Sequence, residues 1–555
     1  MIEDHELPDL STHLALAPHF GAPHFGAPHF GAALRGASLC CALVVLAGCG
    51  DTEATTADTE TAGEPIAATE HGQVRGELVD GIYAFKGLPY GGSTAGANRF
   101  KPPAEPEPWT GIRDAIEYGD RAPQAVPTGD QVSDYARLIR WTEHPGEISE
   151  ECLVLNVWTP GLDDAKRPVM VSFHGGGFTS GSGNGHGYDG GPLARYGDVV
   201  VVTVNHRLAA FGYLHLADLG GSEYAHSGNA GMLDLVAALE WVRDNIAGFG
   251  GDPGNVMIWG QSGGGAKTTT LLAMPRARGL FHRAAVQSGS SLTMRTPENA
   301  TKAAEALLAE LGLDATQLDQ LQTIPYQDIV AAQAKVQGGF APVVDGDVLP
   351  RHPFEPDAPE VSRDVPMIIG WTLDDAALSL ANWDLDEAGL PDAVRRVTGE
   401  RTDEIVAAYR ESYPDAAPYL VQARILTDAR FGRGALLQAE RKASQGAAPA
   451  YLYLWAWESP GMGGKFGAVH GVDVGLAFHN YAGEIAGSGS EAGKLMADRL
   501  ASAWVAFART GNPNNPELPE WPTYDPETRP TMVFDTDTRV EEDPLAGLRE
   551  FWEGS

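Results

Sequence analysis

Six short runs of the chain are apolar almost without interruption: 169–174, 199–204, 256–259, 284–287, 366–369 and 451–455. None alternates apolar with polar positions, as a strand with one wet face would, so each is predicted to be a strand buried on both sides. Between them the apolar period lengthens. In 233–246, Leu233, Val236, Ala237 and Trp241 fall on one side at helical spacing, and Gly248 with Gly250 and Gly251 stops the pattern. Buried strands alternating with helices predict an α/β fold, a mainly parallel sheet with helices on both faces. Loops and helical segments at about 90–150 and 290–365 read as insertions able to roof a site. No second domain boundary stands out in 66–555.

The N-terminal region follows other rules. Three copies of Ala-Pro-His-Phe-Gly occupy 17–21, 22–26 and 27–31, ahead of Arg35 and an apolar run, 37–47, that ends in Leu46-Ala47-Gly48-Cys49. A basic residue, a short apolar stretch and small residues before a cut predict an export signal within 1–48, too short to span a bilayer stably. Its last four residues resemble the lipobox of bacterial lipoproteins, which implies lipidation at Cys49 and a lipid-anchored protein of the cell envelope. The rival is an ordinary secretory signal giving a periplasmic or secreted protein. Export signals normally begin near the initiator, so either translation starts close to residue 34 or the repeats are an unusual extension. The repeated histidines read as a tandem coding repeat rather than a metal site. Residues 49–65 are rich in Thr, Glu, Asp, Ala and Gly without apolar period, the composition of an acidic tether.

Composition narrows the partners. With 39 Lys plus Arg against 74 Asp plus Glu, the formal charge is −35 over 555 residues, which repels nucleic acid and anionic headgroups. Membrane contact is then expected only through the N-terminal anchor. Cys40 and Cys41 lie within the signal and Cys49 at its end, so Cys152 is left alone in the body and an internal disulfide is excluded there.

The candidate chemistry sits at strand ends. Gly260-Gln261-Ser262-Gly263-Gly264 lies between the run 256–259 and a helix-like stretch at 266–274. A serine between glycines at a sharp strand-to-helix turn has its hydroxyl held clear of the strand end, the setting of an activated nucleophile. Such a serine needs a base, a carboxylate to orient that base, and N–H groups aimed at a developing oxyanion. After the run 169–173 comes His174-Gly175-Gly176-Gly177-Phe178, a bare backbone loop suited to the last role. His470 follows the run 451–455 and is the candidate base, with His479 its nearest competitor. Asp374 and Asp375 stand just past the run 366–369. Either can orient an imidazole, the other being solvated or capping a helix. Serine, acid, histidine is the chain order of α/β-hydrolases.

At these residues the chain resembles the type-B carboxylesterase and lipase family, over nearly all of 66–550. The resemblance also rests on Phe85-Lys86-Gly87-Leu88-Pro89-Tyr90, Arg99-Phe100, Pro102-Pro103, the stretch 150–157, Phe249-Gly250-Gly251-Asp252-Pro253, Gln287-Ser288-Gly289 and Thr510-Gly511-Asn512-Pro513. It implies an α/β-hydrolase fold, a small-molecule ester as substrate, and neither metal nor organic cofactor. It also implies that Asp375 is the acid where Glu is usual, with Asp374 kept as alternative. The oxyanion donors carried over are the N–H groups of Gly176, Gly177 and Gly263, and Ser288 is carried over as a support of the acid. Three positions depart from the family pattern. Gln261 replaces a common Glu and removes a negative charge beside the serine, Gly263 replaces Ala and is expected to loosen the turn, and Ala122 stands where a cysteine often pairs with the counterpart of Cys152. The reading is a serine carboxylesterase for neutral or aryl esters of small to medium size. Lipase, amidase or carbamate hydrolase, and a non-catalytic cholinesterase-like adhesion protein are the rivals.

Overall fold

The computed structural model describes residues 64–483 and 485–553. The repeats, the signal-like run with Cys49 and nearly all of the tether lie outside the described residues. From Pro65 onward the chain packs as one unit.

A small sheet is made of β1 (Ile66–Thr69), β2 (Gly72–Arg75) and β5 (Ile112–Asp114). The central sheet takes the remaining strands: β3 (Glu77–Val79), β4 (Ile82–Pro89), β6 (Val154–Thr159), β7 (Arg167–Phe173), β8 (Val200–Val204), β9 (Gly251–Gln261), β10 (Arg283–Gln287), β11 (Met367–Thr372), β12 (Ala450–Trp455), β13 (Pro530–Phe534) and β14 (Arg539–Glu542). Their spatial order is β14-β13-β12-β11-β10-β9-β7-β8-β6-β4-β3. The strands from β8 through β7 and β9 to β13 run parallel, while β3, β4, β6 and β14 add antiparallel edges. All six predicted strands lie in the parallel part.

Continuous apolar runs are needed because each parallel strand feeds two cores. Val169, Val171 and Phe173 of β7 point into one core, and Met170 into the other. On β9, Val256 and Ile258 are set against Met257 and Trp259 in the same way. Burying one such side chain stabilises the fold by about 1.5–3 kcal/mol, so a polar residue at any of these positions would be costly. The helix foreseen at 233–246 runs Ala230–Asn245, but it is buried on more than one side: Leu235, Ala238, Leu239 and Val242 are covered as well as Leu233 and Trp241. A single apolar stripe understates it because the helix is packed between β9 and a further helix, Ala209–Tyr213.

Chain order and spatial order diverge between β7 and β9. The chain leaves β7 toward β8 on one side and returns to β9 on the other. In open parallel sheets the crevice at the carboxyl ends of such a pair is where ligands bind. The two glycine loops identified in the sequence leave from these two strand ends.

Candidate active site

Ser262 is the residue between β9 and the helix Gly263–Leu271, with φ 59° and ψ −122°. A left-handed backbone at a residue with a side chain is strained. Its neighbours supply the room: a Cβ on Gly260 would lie 2.5 Å from the Gly264 backbone, and one on Gly264 only 1.9 Å from the Phe173 carbonyl at the end of β7. The Ser262 N–H donates to Gln287 O at the end of β10 (2.8 Å). The strand ends are thus locked around the turn, and the first N–H groups of the helix, which have no partner within it, face outward from its start.

The glycine loop after β7 packs directly on this turn. Gly176 and Gly177 take φ 87° and 62°, conformations that suit glycine. Gly176 O accepts from Thr179 N (3.2 Å) and Ser180 N (3.1 Å), and Gly175 N donates to Tyr188 OH (2.9 Å). A Cβ on Gly175 would come within 3.6 Å of the Ser262 Cβ. A Cβ on Gly263 would lie 2.2 Å from Gly177 O and 2.4 Å from Gly177 N. The expected loosening at Gly263 therefore needs correcting: its bare Cα is the seat for the loop, so the missing methyl lets two backbones touch.

His470 is 4 % exposed, and its Nδ1–H donates to Asp375 Oδ1 at 2.5 Å. Asp375 is fully buried, and its other oxygen accepts from Thr372 N (3.0 Å). Asp374 faces elsewhere. It accepts from Arg424 Nε (2.9 Å) and Ala468 N (2.9 Å), and its own N–H reaches Ala468 O (3.1 Å), which ties the acid loop to the histidine loop. Burial raises its pKa, opposed by the Arg424 guanidinium. Of the two adjacent carboxylates the structure puts only Asp375 on the imidazole. His479 is paired with Asp498 (2.8 Å) and stacked on Tyr196.

Ser288 does not reach the acid. It stands at the end of β10 with φ 48°, its N–H on Gly370 O (2.8 Å), while its hydroxyl is buried without a hydrogen-bond partner among the described residues. The support expected of it comes from the Thr372 N–H, supplied by the acid's own loop. Gln261 is buried near both Gly175 and Gly471, bringing the residue before the serine beside the residue after the histidine. Cys152 is buried as a free thiol.

Three contributors lay beyond sequence reasoning. Tyr135, in the insertion at 90–150, donates from its hydroxyl to His470 O (3.1 Å), so that segment does reach the site. The Phe431 ring lies 5.2 Å from the His470 ring, on a π-helical turn Asp428–Gly432. Asp473, buried behind His470, accepts from Gln287 Nε2 (2.8 Å) and Tyr453 OH (3.1 Å), and burial pushes its pKa up to about 6. A lone tyrosine or phenylalanine within long loops carries no spacing signal. Asp473 was visible only as a polar residue three positions beyond His470.

The comparisons agree with this geometry. The family model described as "Carboxylesterase family" matches residues 63–552. The chain is 37 % identical to para-nitrobenzyl esterase of Bacillus subtilis over 87 % of its own length and 98 % of that protein, and 34 % identical to phenmedipham hydrolase of Pseudarthrobacter oxydans over 83 % and 93 %. Among solved structures, a carboxylesterase of Geobacillus stearothermophilus superposes with a TM-score of 0.76 at 38 % identity, covering 88 % of this chain and 100 % of that one. An esterase of Clostridium hathewayi, described as able to hydrolyze aliphatic aromatic polyesters, gives 0.76 at 34 % identity over 88 % and 98 %. An α/β-hydrolase sheet, a serine at the β9 turn, a paired histidine and acid, and matches across nearly the whole folded region place this chain in the carboxylesterase family.

Proposed function

We propose that the chain is a serine carboxylesterase acting on small to medium, neutral or aryl esters through an acyl-enzyme on Ser262. The observation that carries this reading is the His470–Asp375 pair, buried and 2.5 Å apart, on strand ends beside the strained turn at Ser262. Ester hydrolysis is the reaction class of the family. In the proposed sequence, Ser262 Oγ attacks the ester carbonyl carbon and passes its proton to His470 Nε2, while Asp375 steadies the imidazolium through Nδ1–H. The carbonyl oxygen becomes an oxyanion within reach of the N–H groups of Gly176, Gly177 and Gly263. Collapse expels the alcohol, which takes the proton from His470. Water, deprotonated by the same histidine, then releases the acid and frees Ser262.

The substrate class is supported by what surrounds the histidine. Phe431 offers it an aromatic face, with ring centroids 5.2 Å apart. Gln261 contributes no charge beside the nucleophile, which disfavours a cationic alcohol. A panel of p-nitrophenyl and alkyl esters varied in acyl length and alcohol size tests this: kcat/KM should peak at short to medium acyl chains with aryl alcohols. A preference for long acyl chains or for amides would replace the reading with lipase or amidase. The location proposed is the cell envelope, with export by the N-terminal signal and an anchor at lipidated Cys49. A mass spectrum of the mature N-terminus should show a chain beginning at modified Cys49, and an uncut, unmodified chain would remove both.

A further inference from the structure

Lys267 is the fifth residue after Ser262, inside the helix Gly263–Leu271, and it is completely buried. A lysine in that position loses its hydration, and none of the described carboxylates lies within ion-pair distance to compensate it. Its contacts are instead with the two ends of one loop. Nζ donates to His174 O at 2.8 Å, where the glycine loop leaves β7, and it lies 5.9 Å from the centroid of the Phe178 ring, where the loop ends. Between these two points are Gly175, Gly176 and Gly177, three residues with no side chain to hold them. Phe178 is fixed in turn through its carbonyl, which accepts from Ala209 N at 2.7 Å.

We propose that Lys267 is a positioning residue for the oxyanion loop: its ammonium grips the loop's entry carbonyl and its exit ring, fixing the donors of Gly176 and Gly177, and sets a buried positive charge behind them. The proposal rests on the assignment of Ser262 as nucleophile. A donor cradle made of glycine is floppy unless held, and misplacement of a catalytic group by about 1 Å costs on the order of 100-fold in rate. A cation buried at the edge of the cradle also favours the negative transition state over the neutral substrate, which is the differential stabilisation that raises kcat.

The groups around the ammonium leave it as the local charge. His174 and His206 stack with centroids 5.0 Å apart, each has Nδ1 on a neighbouring carbonyl, and burial drives both far below the usual imidazole range, so both are neutral. Arg207, the next cation, is occupied by Asp234, with Nε to Oδ2 at 2.8 Å, and His144 is held neutral by burial. Burial alone brings Lys267 down from 10.5 to about 7. The ammonium is therefore lost as pH rises through neutrality, and the grip weakens to that of a neutral amine. The stability sign is opposite: between pH 7 and 10.5 the unfolded chain binds the extra proton, so the folding penalty of this lysine is full below 7 and shrinks as pH rises.

The test uses Lys267→Met and Lys267→Gln with a p-nitrophenyl ester, following kcat, KM, Tm and mass labelling of Ser262. Expected for Lys267→Met are a kcat about 10- to 100-fold lower, KM within about twofold, and a Tm gain larger at pH 6.5 than at pH 9.5. Lys267→Gln, which keeps a donor without charge, recovers part of the loss. Wild-type kcat/KM falls about tenfold between pH 7 and 9, and both variants lack that limb. The wild-type profile needs no variant to fold, and a rate flat from pH 7 to 9 removes the loss of the ammonium across that range from the proposal. Unchanged kcat in Lys267→Met overturns the positioning role. Acylation of Ser262 in the wild type separates these outcomes from failure of the nucleophile assignment, which would leave that serine unlabelled.

Discussion

Two adjacent aspartates show how much one peptide step decides. Asp375 reaches His470 and Asp374 turns to Arg424, although both are fully buried and both follow β11. Without the orienting carboxylate the imidazole has neither a fixed tautomer nor a partner for its positive charge, so Asp375→Asn should lower kcat about 10³- to 10⁴-fold with the fold intact, read from steady-state kinetics beside circular dichroism. Gly263 makes a second residue-scale test. An added methyl meets the Gly177 backbone at 2.2–2.4 Å, and neither partner is a side chain that can swing aside. Gly263→Ala should therefore push the oxyanion loop back and reduce kcat about 10- to 100-fold with little change in KM. An unaltered kcat would mean that the loop is not seated there.

At the scale of elements, loops after neighbouring strands are tied to each other rather than only to the sheet. Asp374 joins the acid loop after β11 to the histidine loop after β12 through Ala468, with Arg424 of the helix Pro418–Thr427 as third member. Asp374→Asn leaves the guanidinium short of its buried partner and should cost about 3 kcal/mol in urea unfolding, with kcat falling less than tenfold. That division, stability for Asp374 and rate for Asp375, is the reverse of what the alternative acid assignment requires. The parallel strands were legible because burial on both faces demands unbroken apolar runs, and the nucleophile turn because its glycines are forced by backbone contacts of 1.9–2.5 Å. Tyr135 and Phe431 were not legible, since each is brought to His470 from an insertion or a helical turn by tertiary packing that leaves no periodic trace. Ser288 was misread for a related reason: a motif gives the place of a hydroxyl along the chain but not its partner, and here that hydroxyl is buried without a hydrogen bond to the acid.

Over the whole molecule, acidic groups outnumber basic ones by 35, yet the carboxylates that shape the pH response are the few that are buried. Burial pushes Asp473 up to about 6 and Asp428 up to about 7. Both are raised, so the folded chain holds more protons than the unfolded one from about pH 4 to 7. Their stabilising contribution is present in full below pH 4 and lost as pH rises through 6 and 7. Asp428→Asn should flatten that decline, with a Tm gain over wild type at pH 8 that disappears near pH 4. The acyl-enzyme on Ser262 is tested most directly by intact-protein mass spectrometry during turnover of a p-nitrophenyl ester. An acyl increment should appear within the burst of p-nitrophenol and map to the peptide containing Ser262. An acyl group on another residue, or a burst-free reaction with no covalent species at any time, would contradict the account.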